Sequence, residues 1–131
     1  MGPVRYLLDT CTFLWHAQQP AMLSVAARAA LNDSANELFV SDVSVWEVTL
    51  KHSAGKLPLP DEPRVWIPQK FSHHQLQRQP LTHAAIFRSG ELPRVHKDPF
   101  DRMLAAQAIE DALTILSPDE PLSLLGAARV W

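Results

Sequence analysis

Short apolar runs alternate with helix-forming segments along this chain, and that alternation constrains the fold more than any other feature. Arg5–Leu8 ends in two leucines, residues 38–40 read Leu-Phe-Val, and residues 113–116 read Leu-Thr-Ile-Leu. Each run is too short for a helix and apolar on both faces, as suits a strand in a parallel sheet covered on two sides. A polar segment at 75–79 reads as an edge strand ending at Pro80, and 127–131 as a last short strand entered through Gly126. Strand followed by helix, repeated, predicts an α/β fold. The expected architecture is one domain over residues 1–131, with a central, mostly parallel sheet of about five strands flanked by helices.

Local signals place the helices. One is expected over 11–17 after Asp9-Thr10, its Phe13, Leu14 and Trp15 either packing on the sheet or facing a partner, with His16 on the surface near its end. Leu23-Ser24 offers a staple and a cap for a helix through Leu31. Ser44 and Glu47 match the S-x-x-E capping box, so a turn at 41–44 and a helix over 45–54 stopped by Gly55 follow. The proline-rich stretch 56–68 interrupts regular structure, with Trp66, Ile67 and Phe71 docking a short helix or loop. His73 and His74 have no neighbouring cysteine and make weak metal ligands. Leu81-Thr82 opens a further helix ending near Ser89-Gly90. In His96-Lys97-Asp98-Pro99-Phe100-Asp101-Arg102, Asp98 fits an N-cap, Pro99 the first helical position and Asp101 the third, ahead of a helix to residue 111.

Composition narrows the function. Twelve Lys+Arg against 14 Asp+Glu give a formal charge of −2, so any nucleic-acid contact must be made by a local group of cations. The single cysteine, Cys11, excludes an internal disulfide and a thiolate-rich zinc site. Met1-Gly2-Pro3-Val4-Arg5 does not read as a secretory leader, and no apolar run reaches the roughly 18 residues of a membrane span. A cytoplasmic location is expected, away from membranes.

Four acids share a setting. Asp9 and Asp119 each follow an apolar strand, while Glu47 and Asp101 each fall in the first turn of an expected helix. In a parallel sheet with right-handed crossovers, strand ends and the starts of the following helices meet along one edge, where ligands bind. Asp9 also reads as a cap for its helix. Glu47, taken alone, reads better as a cap and a partner for Lys51 four residues on. Together the four anions would repel unless cations neutralised them, and oxygen-only ligation suits Mg2+ or Mn2+ better than Zn2+. Neither a Ser-His-Asp arrangement nor a glycine-rich phosphate loop is evident.

Tyr6-Leu7-Leu8-Asp9-Thr10, the stretch S-D-V-S-V-W-E-V-T-L-K from Ser41 to Lys51, Gly55-Lys56-Leu57, the segment from His96 to Arg102, and Leu116-Ser117-Pro118-Asp119 stand in an order and spacing that resemble the PIN-domain family. Specifically, they are similar to the ribonuclease toxins of VapBC-type toxin–antitoxin pairs. D-P-F-D-R before a helix of small residues is the most specific of these matches. The resemblance implies an Mg2+- or Mn2+-dependent endoribonuclease whose catalytic and metal-binding acids are Asp9, Glu47, Asp101 and Asp119. Asp98 is a further acid that either touches the metal or only caps the helix. Thr10, Lys51, Lys97 and Arg102 would contact substrate, with Lys56 and Arg94 also near the acids. It further implies a homodimer, an RNA substrate cut to 5′-phosphate and 3′-hydroxyl ends, and a cognate small antitoxin that blocks the pocket and through which alone DNA would be met. Relatives typically carry arginines at the positions of Lys97 and Pro118, and Cys11 stands where a histidine is common. The alternatives are a catalytically weak or inactive PIN-fold binding protein, and a related nuclease acting on another phosphoester.

Overall fold

Residues 3–131 are described by a computed structural model; Met1 and Gly2, which begin the segment read above as lacking a leader, lie outside the described residues. The elements run β1 (Arg5–Leu8), α1 (Thr10–Gln18), a 3-10 turn (Pro20–Met22), α2 (Val25–Asn32), β2 (Glu37–Ser41), α3 (Asp42–Ser53), α4 (Pro63–His73), β3 (Gln77–Gln79), α5 (His83–Glu91), α6 (Pro99–Asp111), β4 (Thr114–Leu116), α7 (Pro121–Leu124) and β5 (Arg129–Val130). The strands form one sheet in the order β3-β2-β1-β4-β5, and all four neighbouring pairs are parallel. No described helix is long and apolar enough to cross a membrane.

The period-two alternation of strand side chains splits the core between the two faces. Leu8, Val40 and Leu116 point into a cluster with Phe13, Ala27, Leu31, Val48 and Trp66, which seats α1 to α4. Leu7, Phe39 and Ile115 point the other way, into Leu104, Ala105, Ala108, Leu122 and Leu125 of α6 and the α7 region. Both faces of the sheet are therefore covered, which is why the strands read as unbroken apolar runs. Phe13 is fully buried, whereas Leu14 and Trp15 are half-buried, Trp15 lying against Trp131.

Three local expectations are corrected. The S-x-x-E pattern does not start α3. β2 runs directly into the helix at Ser41, whose hydroxyl caps by accepting from the Val43 amide at 3.0 Å and donates to the buried Gln107 at 2.5 Å. Ser44 and Glu47 thus sit further along α3, on the side facing α1. The proline-rich segment is not irregular to its end: Pro63 takes a first-turn position, where its missing N–H is no loss, and α4 continues through Pro68. Burial of Trp66 and Ile67 offsets the lost bond to the preceding turn. α5 ends at Glu91, within a residue of the expected Ser89-Gly90. His16, expected on the surface, is half-buried, its ring centroid 4.3 Å from that of His74.

Candidate active site

The chain order reverses between β1 and β4. From β1 the connections lead outward through β2 to β3, and the chain then returns to place β4 on the other side of β1. In an open parallel sheet, the crevice beyond the strand carboxyl ends at such a reversal is where ligands bind. Asp9 closes β1 there, and Asp119 follows β4.

Asp9 is both the cap and the acid. Its Oδ1 accepts from the Thr12 amide at 2.8 Å, so it caps α1, yet only 3% of the residue is exposed. Ser117 ties it to β4: the hydroxyl donates to Asp9 Oδ2 at 2.5 Å and accepts from the Asp119 amide at 3.0 Å. Thr12 adds a second link, donating to the Leu116 carbonyl at 2.8 Å. Burial pushes the Asp9 carboxyl above its ordinary range, against the downward pull of bonds from Ser117, Thr12 and Cys11. Burial and the charges of Asp9 and Asp119 push the Cys11 thiol up, so it remains an unreactive thiol.

The opposite wall comes from helices. Glu47 reaches the pocket from α3, with Thr10 Oγ1 donating to Oε1 at 2.6 Å and the Lys51 ammonium donating to Oε2 at 2.6 Å. Ser44 Oγ lies 3.0 Å from the same Thr10 hydroxyl. The Glu47 carboxylate accordingly raises the Lys51 amine. Asp98 caps α6, accepting from the Phe100 amide at 2.9 Å. Asp101 does not complete a capping box. Its Oδ2 takes His96 Nε2 at 2.9 Å, and burial raises its carboxyl, opposed by His96 and assisted by the charges of Asp98 and Asp119.

These groups line one cavity of about 430 Å3, whose wall includes Asp9, Thr10, Cys11, Glu47, Lys51, Lys56, Asp98, Asp101 and Asp119. Five carboxylates from four separate parts of the chain therefore converge. Among the described residues, Lys51, bound to Glu47, and Lys56 are the only cations on that wall. Such a set, oxygen-rich and short of positive charge, fits a hard divalent cation of the Mg2+ or Mn2+ kind.

Two expected substrate contacts fall elsewhere. Arg102 turns its guanidinium to the main chain, donating to the carbonyls of Ser89, Leu92, Pro93 and His96 at 2.8–3.0 Å. It is the staple of the loop before α6. Lys97 is exposed and borders a neighbouring hollow of about 340 Å3 together with Arg94 and His96. Sequence reasoning missed Ser117, Ser44 and His96. The available signal was a hydroxyl two residues before Asp119 and an imidazole five before Asp101, but what those groups touch depends on partners up to 108 residues away.

Residues 6–126 match the family described as PIN domain. Solved structures share the fold. A chain of VapBC2 from Rickettsia felis, bound to a DNA fragment from their promoter, aligns with a TM-score of 0.73 at 14% identity, covering 97% of this chain and 98% of that one. A chain of DNA-bound VapBC from Salmonella typhimurium gives 0.73 at 16% identity, covering 97% of each. FitAcB from Neisseria gonorrhoeae gives 0.63 at 17% identity, covering 96% of each. No curated protein sequence matches significantly.

Proposed function

The chain belongs to the PIN-domain family, and on that premise we propose that residues 1–131 act as one cytoplasmic nuclease domain, a divalent-metal-dependent endoribonuclease of the toxin type. One observation carries this reading: the convergence of Asp9, Glu47, Asp98, Asp101 and Asp119 on a single cavity at the chain reversal. Asp9, Glu47, Asp101 and Asp119 hold Mg2+ or Mn2+, while Asp98 serves mainly as the cap of α6. A bound divalent cation supplies an acidified water and neutralises charge on the phosphoryl oxygens.

The protein's own groups do the rest. Ser117 fixes the Asp9 carboxylate against the main chain that carries Asp119, so the Asp9 oxygens are already set to receive cation and substrate. Thr10 fixes the face that Glu47 presents. Lys51 and Lys56 stand beside the acids, where they bind the phosphates flanking the scissile one; Lys97 and Arg94 extend that track towards the neighbouring hollow. Water adds to phosphorus as the P–O3′ bond breaks, the departing oxygen takes a proton, and the ends are a 5′-phosphate and a 3′-hydroxyl.

A pocket this acidic is open to an inhibitor carrying an arginine, and the partner that fits is a small antitoxin covering the acids. The VapBC and FitAB neighbours were solved with DNA; here DNA would be met only through the antitoxin, and the active unit is a homodimer. The test is cleavage of matched RNA and DNA strands with Mg2+ or Mn2+ and with EDTA. RNA cut only with metal, and lost in D9N and D101N, is expected. Cleavage that survives EDTA, or that proceeds equally in both variants, sinks the assignment. Intact fold without Mn2+ binding would favour the inactive binding protein, and preference for DNA the related nuclease.

A further inference from the structure

We propose that His96 is a positioning residue for Asp101, the imidazole fixing one carboxylate oxygen so that the other faces a divalent cation. The inference rests on the metal-dependent reading above and adds a residue to it.

The geometry has three parts. Asp101 stands at the third position of α6, where a carboxylate commonly folds back onto the helix start. Asp101 does not make that bond: α6 is capped by Asp98 alone, whose Oδ1 accepts from the Phe100 amide and lies 3.4 Å from the Asp101 amide. Asp101 is therefore free to turn outward, and Oδ2 meets His96 Nε2 at 2.9 Å. Its Oδ1 has no hydrogen-bond partner among the described residues.

His96 is itself held. The loop from Leu92 to Asp98 has no regular structure, yet Arg102 pins its carbonyls at Leu92, Pro93 and His96, and buried Leu92 anchors it in the core. The imidazole and carboxylate are only 25% and 19% exposed, so water competes weakly for their bond. A ligand oxygen oriented by a second group binds metal better than a free one, typically by about 10–100-fold.

A second use of the same atoms must be set aside by experiment. One ligand atom each from His96, Asp98 and Asp101 lie within 4.8 Å of one another, close enough to share a cation. A ring nitrogen that donates to Asp101 carries a proton and has no lone pair for metal. The two roles exclude each other at Nε2 alone; a metal held at Nδ1 leaves the Nε2–H donating, and direct coupling of a ring nitrogen to bound Mn2+ is what tells the two apart.

The decisive measurements are Mn2+ affinity by electron paramagnetic resonance and the imidazole tautomer by 15N NMR, on the full chain and on H96A, H96Q and D101N. The metal-free wild type should show His96 protonated at Nε2. H96A should bind Mn2+ about 10–100-fold more weakly, and H96Q, which restores a donor, should recover most of that loss. An Nδ1–H tautomer, unchanged Mn2+ affinity in H96A, or direct coupling of an imidazole nitrogen to bound Mn2+ overturns the proposal. D101N separates the two levels. Mn2+ binding lost in D101N but untouched in H96A removes only His96, whereas a wild type that binds no Mn2+ removes the metal-dependent reading and His96 with it. If H96A melts early, the tautomer and H96Q decide.

Discussion

The two walls of the acidic pocket are built differently. On the sheet wall, the buried Asp9 carboxylate is held by the Ser117 hydroxyl and the Thr12 amide, and the same hydroxyl accepts from the main-chain amide of Asp119, whose side chain stands exposed at the rim. On the helix wall, Glu47 is held by Thr10 and Lys51, and Asp101 by His96 alone, at partly exposed positions. At Asp9 the first wall is as rigid as the fold. The second is set by the Thr10 hydroxyl and by two further partners, Lys51 a counter-ion that a metal would displace and His96 a donor that a metal would leave in place.

The largest effect should come from the sheet wall. D9N should reduce cleavage by more than the roughly 10–100-fold typical of an outer partner, and it should also raise Tm. The sign follows from burial. A carboxyl whose folded pKa is raised contributes stability below the ordinary value of 3.8, and that stability is lost as pH rises through the folded pKa. Near neutral pH the buried charge is therefore a cost that asparagine removes. Melting of D9N below wild type contradicts this.

S117A should come next, losing about 1–3 kcal/mol in chemical denaturation and about 10–100-fold in Mn2+ affinity. Both losses come from one hydroxyl that serves two acids. An S117A protein with normal metal affinity would show that the sheet wall is not held by this bridge. Removing the loop staple in R102A should cost about 2 kcal/mol, with R102K failing to recover it, because an ammonium cannot reproduce the planar fork; full recovery in R102K argues against that geometry.

On the helix wall the expectation is small and reversed. K51Q should change stability by no more than about 0.5 kcal/mol while tightening Mn2+ binding, since Glu47 loses a competing cation. Weaker Mn2+ binding in K51Q would make Lys51 a support for the site. A remote control uses His74, whose imidazole is pushed down to about 4 by burial and by the neighbouring charges of His16, His73 and Lys70. The folded chain then binds fewer protons than the unfolded one between about pH 6.5 and 4, so its stability is complete above that window and is lost as pH falls through it. H74Q should flatten the fall in Tm over that range without altering the pocket.

How much of this was legible in sequence follows from the range of the interactions. The cap of α6 was readable because Asp98 and Pro99 act within one turn, and Asp9 because an acid closes an apolar strand. The start of α3 was not, since the S-x-x-E pattern falls only at Ser44 to Glu47, whereas the residue that caps, Ser41, is fixed by meeting Gln107, 66 residues on. Pro68 within α4 was hidden because burial of Trp66 and Ile67 overrides local propensity. The acids read from the sequence line one cavity. Their partners were not, because Ser117 and His96 gain meaning only when the sheet closes.

The position of β4 beside β1 also sets when the pocket can exist. The bond between Asp9 and Ser117 spans 108 positions of chain. Contacts of such separation form slowly, because the intervening chain must first be ordered. Without the segment from β4 onward the chain would carry Asp9, Glu47, Asp98 and Asp101 but lack Ser117 and Asp119, leaving the Asp9 carboxylate without its bridge. The fold thus completes the pocket only when β4 has joined the sheet beside β1.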